Sequence, residues 1–124
     1  MDGTASRHLI VADDEMISAL ALERALTRKG FRVSLAGNGQ AALDIHERDP
    51  ADLLVTDLRM PKLSGAELVR RVREDRPDLP VIIATGYRRE DSEILAGPHT
   101  LILTKPLSPQ EVLAAIRSLL DAEA

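Results

Sequence analysis

The sequence predicts an α/β domain built on an open parallel sheet with helices on both faces. Short runs of branched aliphatic residues alternate with longer amphipathic stretches along the whole chain. Several of these runs are apolar at every position, the pattern of strands buried on both faces rather than on one. The ends of those runs carry chemically matched polar residues, as strand ends lining a shared crevice would.

Leu9-Ile10-Val11 is the first strand, and Asp14-Glu15 opens a helical stretch running to about Lys29. Its apolar face is drawn by Ile17, Leu20, Ala21, Ala25 and Leu26, and Gly30 is the expected C′ stop. Phe31 to Leu35 alternates weakly, as an edge strand does. Asn38-Gly39 leads into a short helix through Ala42, Leu43 and Ile45, which Asp49-Pro50 breaks. Leu53-Leu54-Val55-Thr56 is a fully apolar strand closed by Asp57. Ser64 and Glu67 form a capping box for a helix carrying Leu68, Val69 and Val72, which stops before Pro77. Val81-Ile82-Ile83-Ala84 is the next strand, followed by a weakly helical stretch from Arg89 to Leu95. Leu101-Ile102-Leu103 is the last strand. Ser108 and Glu111 form a second capping box, with Pro109 at the first helical position and Val112, Leu113, Ile116, Leu119 and Leu120 on one face.

At 124 residues the chain suits one domain with a full core and is too short for two. Aromatics make up 2% of it, too few for the stacking platforms of single-strand nucleic-acid binding. A net charge of −4 gives no support for a phosphate-backbone partner. The absence of cysteine removes thiolate metal sites and disulfides, which fits a reducing compartment. No apolar run approaches the roughly 18 residues of a membrane span, and Met1 to Ser6 lacks the apolar core of a signal peptide. A cytoplasmic module without membrane contact is the expectation.

Asp13-Asp14, Asp57, Thr85 and Lys105 all fall at strand ends, where an open parallel sheet forms its ligand crevice. Two like charges about 4 Å apart repel by roughly 1 kcal/mol in water and about 4 kcal/mol at an effective dielectric near 20. Lys105 alone cannot balance three carboxylates, whereas a hard divalent ion can. An all-oxygen shell favours Mg²⁺ over Zn²⁺. A carboxylate beside such an ion can attack phosphorus to give an aspartyl phosphate, and catalysis of that step is mostly positioning and charge neutralisation. Asp57 suits the nucleophile, Thr85 and Lys105 the phosphoryl oxygens, and Asp13 and Asp14 the metal.

Each feature also has an ordinary explanation. An Asp pair before a helix often supplies only an N-cap and a dipole contact. A threonine after a strand is commonplace, and Lys-Pro is often a plain turn. The arginines at 70, 71, 73 and 76 interleave with Glu67, Glu74 and Asp75, as on a solvated helix face. His8, His46 and His99 share no ligand spacing and are expected at the surface.

Taken together, Asp13-Asp14, Asp57-Leu58-Arg59-Met60-Pro61 with Gly65 beyond, Ala84-Thr85-Gly86 and Lys105-Pro106 resemble the receiver domain of two-component response regulators. The resemblance runs from Leu9 to Leu120, so residues 1–124 are expected to form one receiver domain with its core at about 8–121. It implies a flavodoxin-like, five-stranded parallel sheet in order 2-1-3-4-5 flanked by five helices. It implies that Asp57 accepts a phosphoryl group from a histidine kinase or histidine phosphotransfer protein in a phosphorelay. Asp13, Asp14, Asp57 and the backbone carbonyl of Arg59 would hold Mg²⁺, and Lys105 would pair with the phosphoryl group. The Lys105-Pro106 bond would be cis. Phosphorylation would draw Thr85 inward and reshape the face built from the 89–95 helix, the last strand and the last helix. Such a domain catalyses only reactions of its own phosphoryl group rather than turnover of a separate substrate.

Two departures from the family pattern bear on the switch. Ile102 stands where an aromatic residue usually sits three before the lysine, and Pro98-His99-Thr100 replaces the usual acids. The common dimer mode through that face is thus weakened, leaving a monomer or weak dimer. Ile83-Ala84-Thr85-Gly86-Tyr87 resembles a mostly single-domain subgroup whose switch aromatic follows the threonine, making Tyr87 either the moving ring or a rim residue that tunes dephosphorylation. The run Leu103 to Ser108 resembles receivers of hybrid kinases, so the unit either works alone or belongs to a larger protein. Three rivals fit less well. A flavodoxin would need a hydroxyl- and glycine-rich phosphate loop where Asp13, Asp14 and Glu15 stand. A haloacid-dehalogenase-type phosphatase would need an Asp at position 59. A non-phosphorylated module of this fold usually lacks a site residue, and none is missing here.

Overall fold

Five strands and four helices alternate along the residues that the computed structural model describes, 7–86 and 97–123. They are β1 (His8–Ala12), α1 (Met16–Arg28), β2 (Arg32–Ala36), α2 (Gly39–Arg48), β3 (Leu53–Asp57), α3 (Gly65–Asp75), β4 (Val81–Thr85), β5 (Thr100–Thr104) and α4 (Pro109–Glu123). All pairings are parallel, in order β2-β1-β3-β4-β5. The expected helix over about 89–95 lies outside the described residues, as does Tyr87.

Side-chain alternation in the strands builds two cores. Ile10, Leu54, Val81 and Ile83 face α2 and α3, where they meet Leu43, Leu68 and Val72. Leu9, Val11, Leu53 and Ile82 face α1 and α4, where they meet Leu22, Leu26, Val112 and Ile116. Burial of each such side chain stabilises the fold by about 1.5–3 kcal/mol, and the fully buried members of both layers are all aliphatic. The two outer strands differ from the inner three: β2 and β5 are only partly buried, and Leu101 in β5 is 36% exposed.

The helix ends follow local chemistry. Gly30 takes a positive φ of 99° beyond α1, where its missing Cβ removes the steric cost. Asn38 caps α2 by accepting from the Ala41 N–H at 2.8 Å. Ser64 accepts from the Glu67 N–H at 3.2 Å, but the Glu67 carboxylate turns to Arg70 and Arg71, so only half of that capping box forms. At Ser108 both halves form, with bonds of 3.1 Å and 3.4 Å.

Three expectations need correction. The buried face of α1 is Ala19, Leu22 and Leu26, while Ile17 is 89% and Leu20 41% exposed. Apolar residues surround α1 on more than one side, so periodicity alone could not choose the inward stripe. His8 and His46 are buried, not superficial. The His8 ring lies 2.7 Å from Ser34 Oγ and 3.2 Å from the Pro50 carbonyl, and His46 Nδ1 accepts the Ala51 N–H at 3.1 Å. They satisfy polar groups of the turn entering β3, partners that no sequence spacing advertises. Arg73 also leaves the solvated face: it donates to the carbonyls of Leu79 and His99 and to Thr100 Oγ1, at 2.8–3.1 Å. Arg70 and Arg71 pair with acids along the exposed helix, as expected.

Candidate functional site

The parallel register brings four strand ends to one rim. Asp57 lies opposite Ala84, Thr85 opposite Thr104, and Ala12 opposite Thr56. The ladders continue one residue past the strands. Asp13 N–H donates to the Ala36 carbonyl at 3.0 Å, Leu58 N–H to Ala84 at 3.2 Å, and Lys105 N–H to Thr85 at 2.9 Å. The site residues are therefore held by the sheet itself, which positions them more tightly than loops would.

One carboxylate oxygen from each of Asp13, Asp14 and Asp57 lies within 4.8 Å of the others. Asp13 is buried, Asp14 exposed, and the Asp57 side chain keeps 13% of its surface accessible. Asp57 Oδ1 accepts the Leu58 N–H at 2.7 Å and Oδ2 accepts from Lys105 Nζ at 2.9 Å. Thr85 is buried at the end of β4, and Arg59, two residues beyond Asp57, is exposed. The Lys105-Pro106 peptide is cis. Asp13, Asp14, Asp57, Arg59, Thr85, Lys105 and Pro106 thus all lie at this rim, and Tyr87 falls outside the described residues.

Electrostatics at the rim are unbalanced. Burial pushes the Asp13 carboxyl above its ordinary pKa, and the charges of Asp57 and Glu15 add to that, against the lowering effects of the Glu15 N–H and Lys105. Burial alone would lower Lys105, but its bond to Asp57 and the charges of Asp13 and Asp57 outweigh it and raise the ammonium's pKa. Among the described residues the donor set is all oxygen, with the Lys105 ammonium set against several anions. That chemistry fits a small hard divalent ion.

Two contributors escaped the sequence reading. Glu15 Oε1 sits 3.3 Å from Lys105 Nζ, so a fourth acid reaches the site. The available signal was a glutamate at an N-cap position, where Ser, Thr, Asp or Asn is preferred. Gly65 was noticed only as part of a motif. Its backbone passes so close to β3 that an added Cβ would lie 2.0 Å from the Asp57 carbonyl oxygen, and its N–H donates to the Leu58 carbonyl at 2.8 Å. Any side chain at 65 would push the Asp57-Leu58 backbone out of place.

Comparison with known proteins agrees with this geometry. The family model for the response regulator receiver domain matches residues 9–117. The response regulator MprA of Mycobacterium leprae is 38% identical over 115 residues, which is 90% of this chain and 50% of that protein. The chain thus spans about half the length of the curated relatives it matches. A response regulator receiver protein from Sinorhizobium medicae superposes with a TM-score of 0.88 at 29% identity, covering 98% of this chain and 100% of the other. For the fold alone, a CheY-like receiver from Methanospirillum hungatei gives a TM-score of 0.86 at 24% identity, covering 95% and 96%. An acidic rim on a sheet of this order, matched over nearly its whole length, places the chain in the family of response regulator receiver domains.

Proposed function

We propose that Asp57 accepts a phosphoryl group from a histidine kinase or a histidine phosphotransfer protein, and that the 124 residues act as one receiver domain in a two-component phosphorelay. A carboxylate oxygen of Asp57 attacks phosphorus, forming a P–O bond as the P–N bond to the donor histidine breaks. Asp13, Asp14 and Asp57, with the Arg59 carbonyl, would hold Mg²⁺, which when bound neutralises the carboxylates and the incoming phosphoryl oxygens. Lys105 exchanges its bond to Asp57 for one to a phosphoryl oxygen, and Thr85, on the neighbouring strand, can hydrogen-bond another. The new charge of about −1.5 to −2 then shifts the face around β4, β5 and α4 that a downstream protein reads. On this reading the domain catalyses its own phosphorylation and dephosphorylation only. It works in the cytoplasm; no helix among the described residues is long and apolar enough to cross a membrane.

The observation that carries this reading is the meeting of three carboxylates within 4.8 Å beside an ammonium 2.9 Å from the accessible Asp57. The experiment is incubation with Mg²⁺ and acetyl phosphate, resolved on a phosphate-affinity gel. Wild-type protein is expected to shift to a slower band that Asp57→Asn and EDTA each abolish. A shift that survives Asp57→Asn places the phosphate elsewhere and ends the proposal. Multiple turnover on generic phosphomonoesters would instead identify a phosphatase.

A further inference from the structure

Glu15 occupies a position whose local role it does not fill. It is the N-cap of α1, with φ −94° and ψ 90°, yet its side chain accepts no hydrogen bond from the helix. Glutamate is too long for that task, and the preferred capping residues are Ser, Thr, Asp and Asn. A locally unfavourable residue next to a functional cluster signals a compensating contact elsewhere. Here that contact is Lys105, 90 residues away in sequence, with Oε1 3.3 Å from Nζ. The Glu15 backbone contributes as well: its N–H donates to Asp13 Oδ1 at 2.9 Å, leaving Oδ2 as the oxygen 3.7 Å from Lys105.

The Lys105 ammonium therefore lies between two bonded acceptors, Asp57 on the inside at 2.9 Å and Glu15 on the outside at 3.3 Å. The Glu15 side chain is 66% exposed and that of Lys105 only 25%. Both line a cleft of about 440 Å³ between α1 and the segment leading into α4, so Glu15 has room to hold the ammonium or release it. We propose that Glu15 is a positioning residue that competes with the phosphoryl group of Asp57 for Lys105, and so limits the stability of the phosphorylated state. The inference rests on the reading of Asp57 as phosphoryl acceptor. An exposed ion pair of this kind shifts an equilibrium by about two- to fivefold.

The test uses beryllofluoride with Mg²⁺ as the phosphoryl stand-in, with binding followed by isothermal titration. Glu15→Gln, which keeps the shape and removes the charge, is expected to bind it about two- to fivefold more tightly than wild type. In a Lys105→Gln background the same substitution is expected to change nothing, because its effect runs through the ammonium. An equal gain in both backgrounds would mean simple relief of charge repulsion, and no gain in the wild-type background would remove the competition; either result overturns the proposal. A second readout starts from the metal-free protein. Carbodiimide treatment of the metal-free protein should yield a Glu15–Lys105 isopeptide, mapped by mass spectrometry, whose yield falls once Mg²⁺ and beryllofluoride are added. Its absence from the metal-free protein counts against the contact itself. If wild-type protein binds no beryllofluoride while the isopeptide forms, the phosphoryl-acceptor reading has failed and the competition falls with it, although the Glu15–Lys105 contact stands.

Discussion

The two edges of the sheet both collect charged groups, and they treat them in opposite ways. At the rim where the strands end, Asp13, Asp14, Glu15 and Asp57 surround one Lys105. At the base where the strands begin, charges and imidazoles are matched to fixed partners. Arg73 takes the carbonyls of Leu79 and His99, Arg76 that of Ala51, His46 the Ala51 N–H, and Arg32 pairs with Asp49. Among the described residues, the base groups find their partners within the protein, whereas the rim gathers four acids around the Lys105 ammonium. Uncompensated charge is expected where a ligand completes the arrangement, and complete compensation where the task is to hold the fold.

That contrast can be broken most severely at the base. Arg73→Ala removes donors from three backbone or hydroxyl acceptors, some of them half-buried, at 2.8–3.1 Å. A loss of about 2–4 kcal/mol in unfolding free energy is expected by urea titration. Arg73→Lys should recover little of it, since a single ammonium cannot span those acceptors. A loss within error of zero would remove Arg73 from the base network.

At the rim the sign reverses. Because the folded-state pKa of Asp13 is raised above its ordinary 3.8, the folded protein holds that proton more tightly than the unfolded chain. Its contribution is therefore favourable at low pH and is lost as pH rises from the unfolded value through the folded one. At neutral pH Asp13→Asn should stabilise the metal-free protein, by about 1 kcal/mol. Adding Mg²⁺ should stabilise wild type through linkage and this variant much less. Equal stabilisation of both by Mg²⁺ would remove Asp13 from the proposed Mg²⁺ ligands.

The smallest expected effect is a pH slope at the base. Burial lowers the His46 pKa below its ordinary 6.5; Arg76 and His8 lower it further, and Asp75 and Glu47 oppose them. The unfolded chain then protonates first, so stability should begin to fall as pH drops through about 6.5 and level off once the folded imidazole is charged. A protonated ring also cannot accept the Ala51 N–H. His46→Gln should flatten thermal unfolding between pH 7 and pH 5; a slope unchanged by that substitution would assign the titration to another group.

Much of the rim was legible in the sequence because its parts are marked by position. Asp13, Asp57 and Lys105 each close or follow an apolar run, and strands buried on both faces leave little doubt about where those runs lie. The base was not legible. His8, His46 and Arg73 sit in stretches whose composition suggests a solvated surface, and their partners are backbone groups of distant turns. Glu15 was missed for a related reason, since its partner follows a strand 90 residues away.

The sequence by itself determined the strands, most helix ends and which polar residues close the strands at the rim. Alternation, capping and punctuation act over a few residues and need no knowledge of what lies across the core. Tertiary structure alone decided which side of α1 turns inward, which histidines are buried and which acid shares Lys105. Those outcomes depend on the registers of parallel strands joined through helices, so the groups that meet are set by sheet pairing and not by distance along the chain.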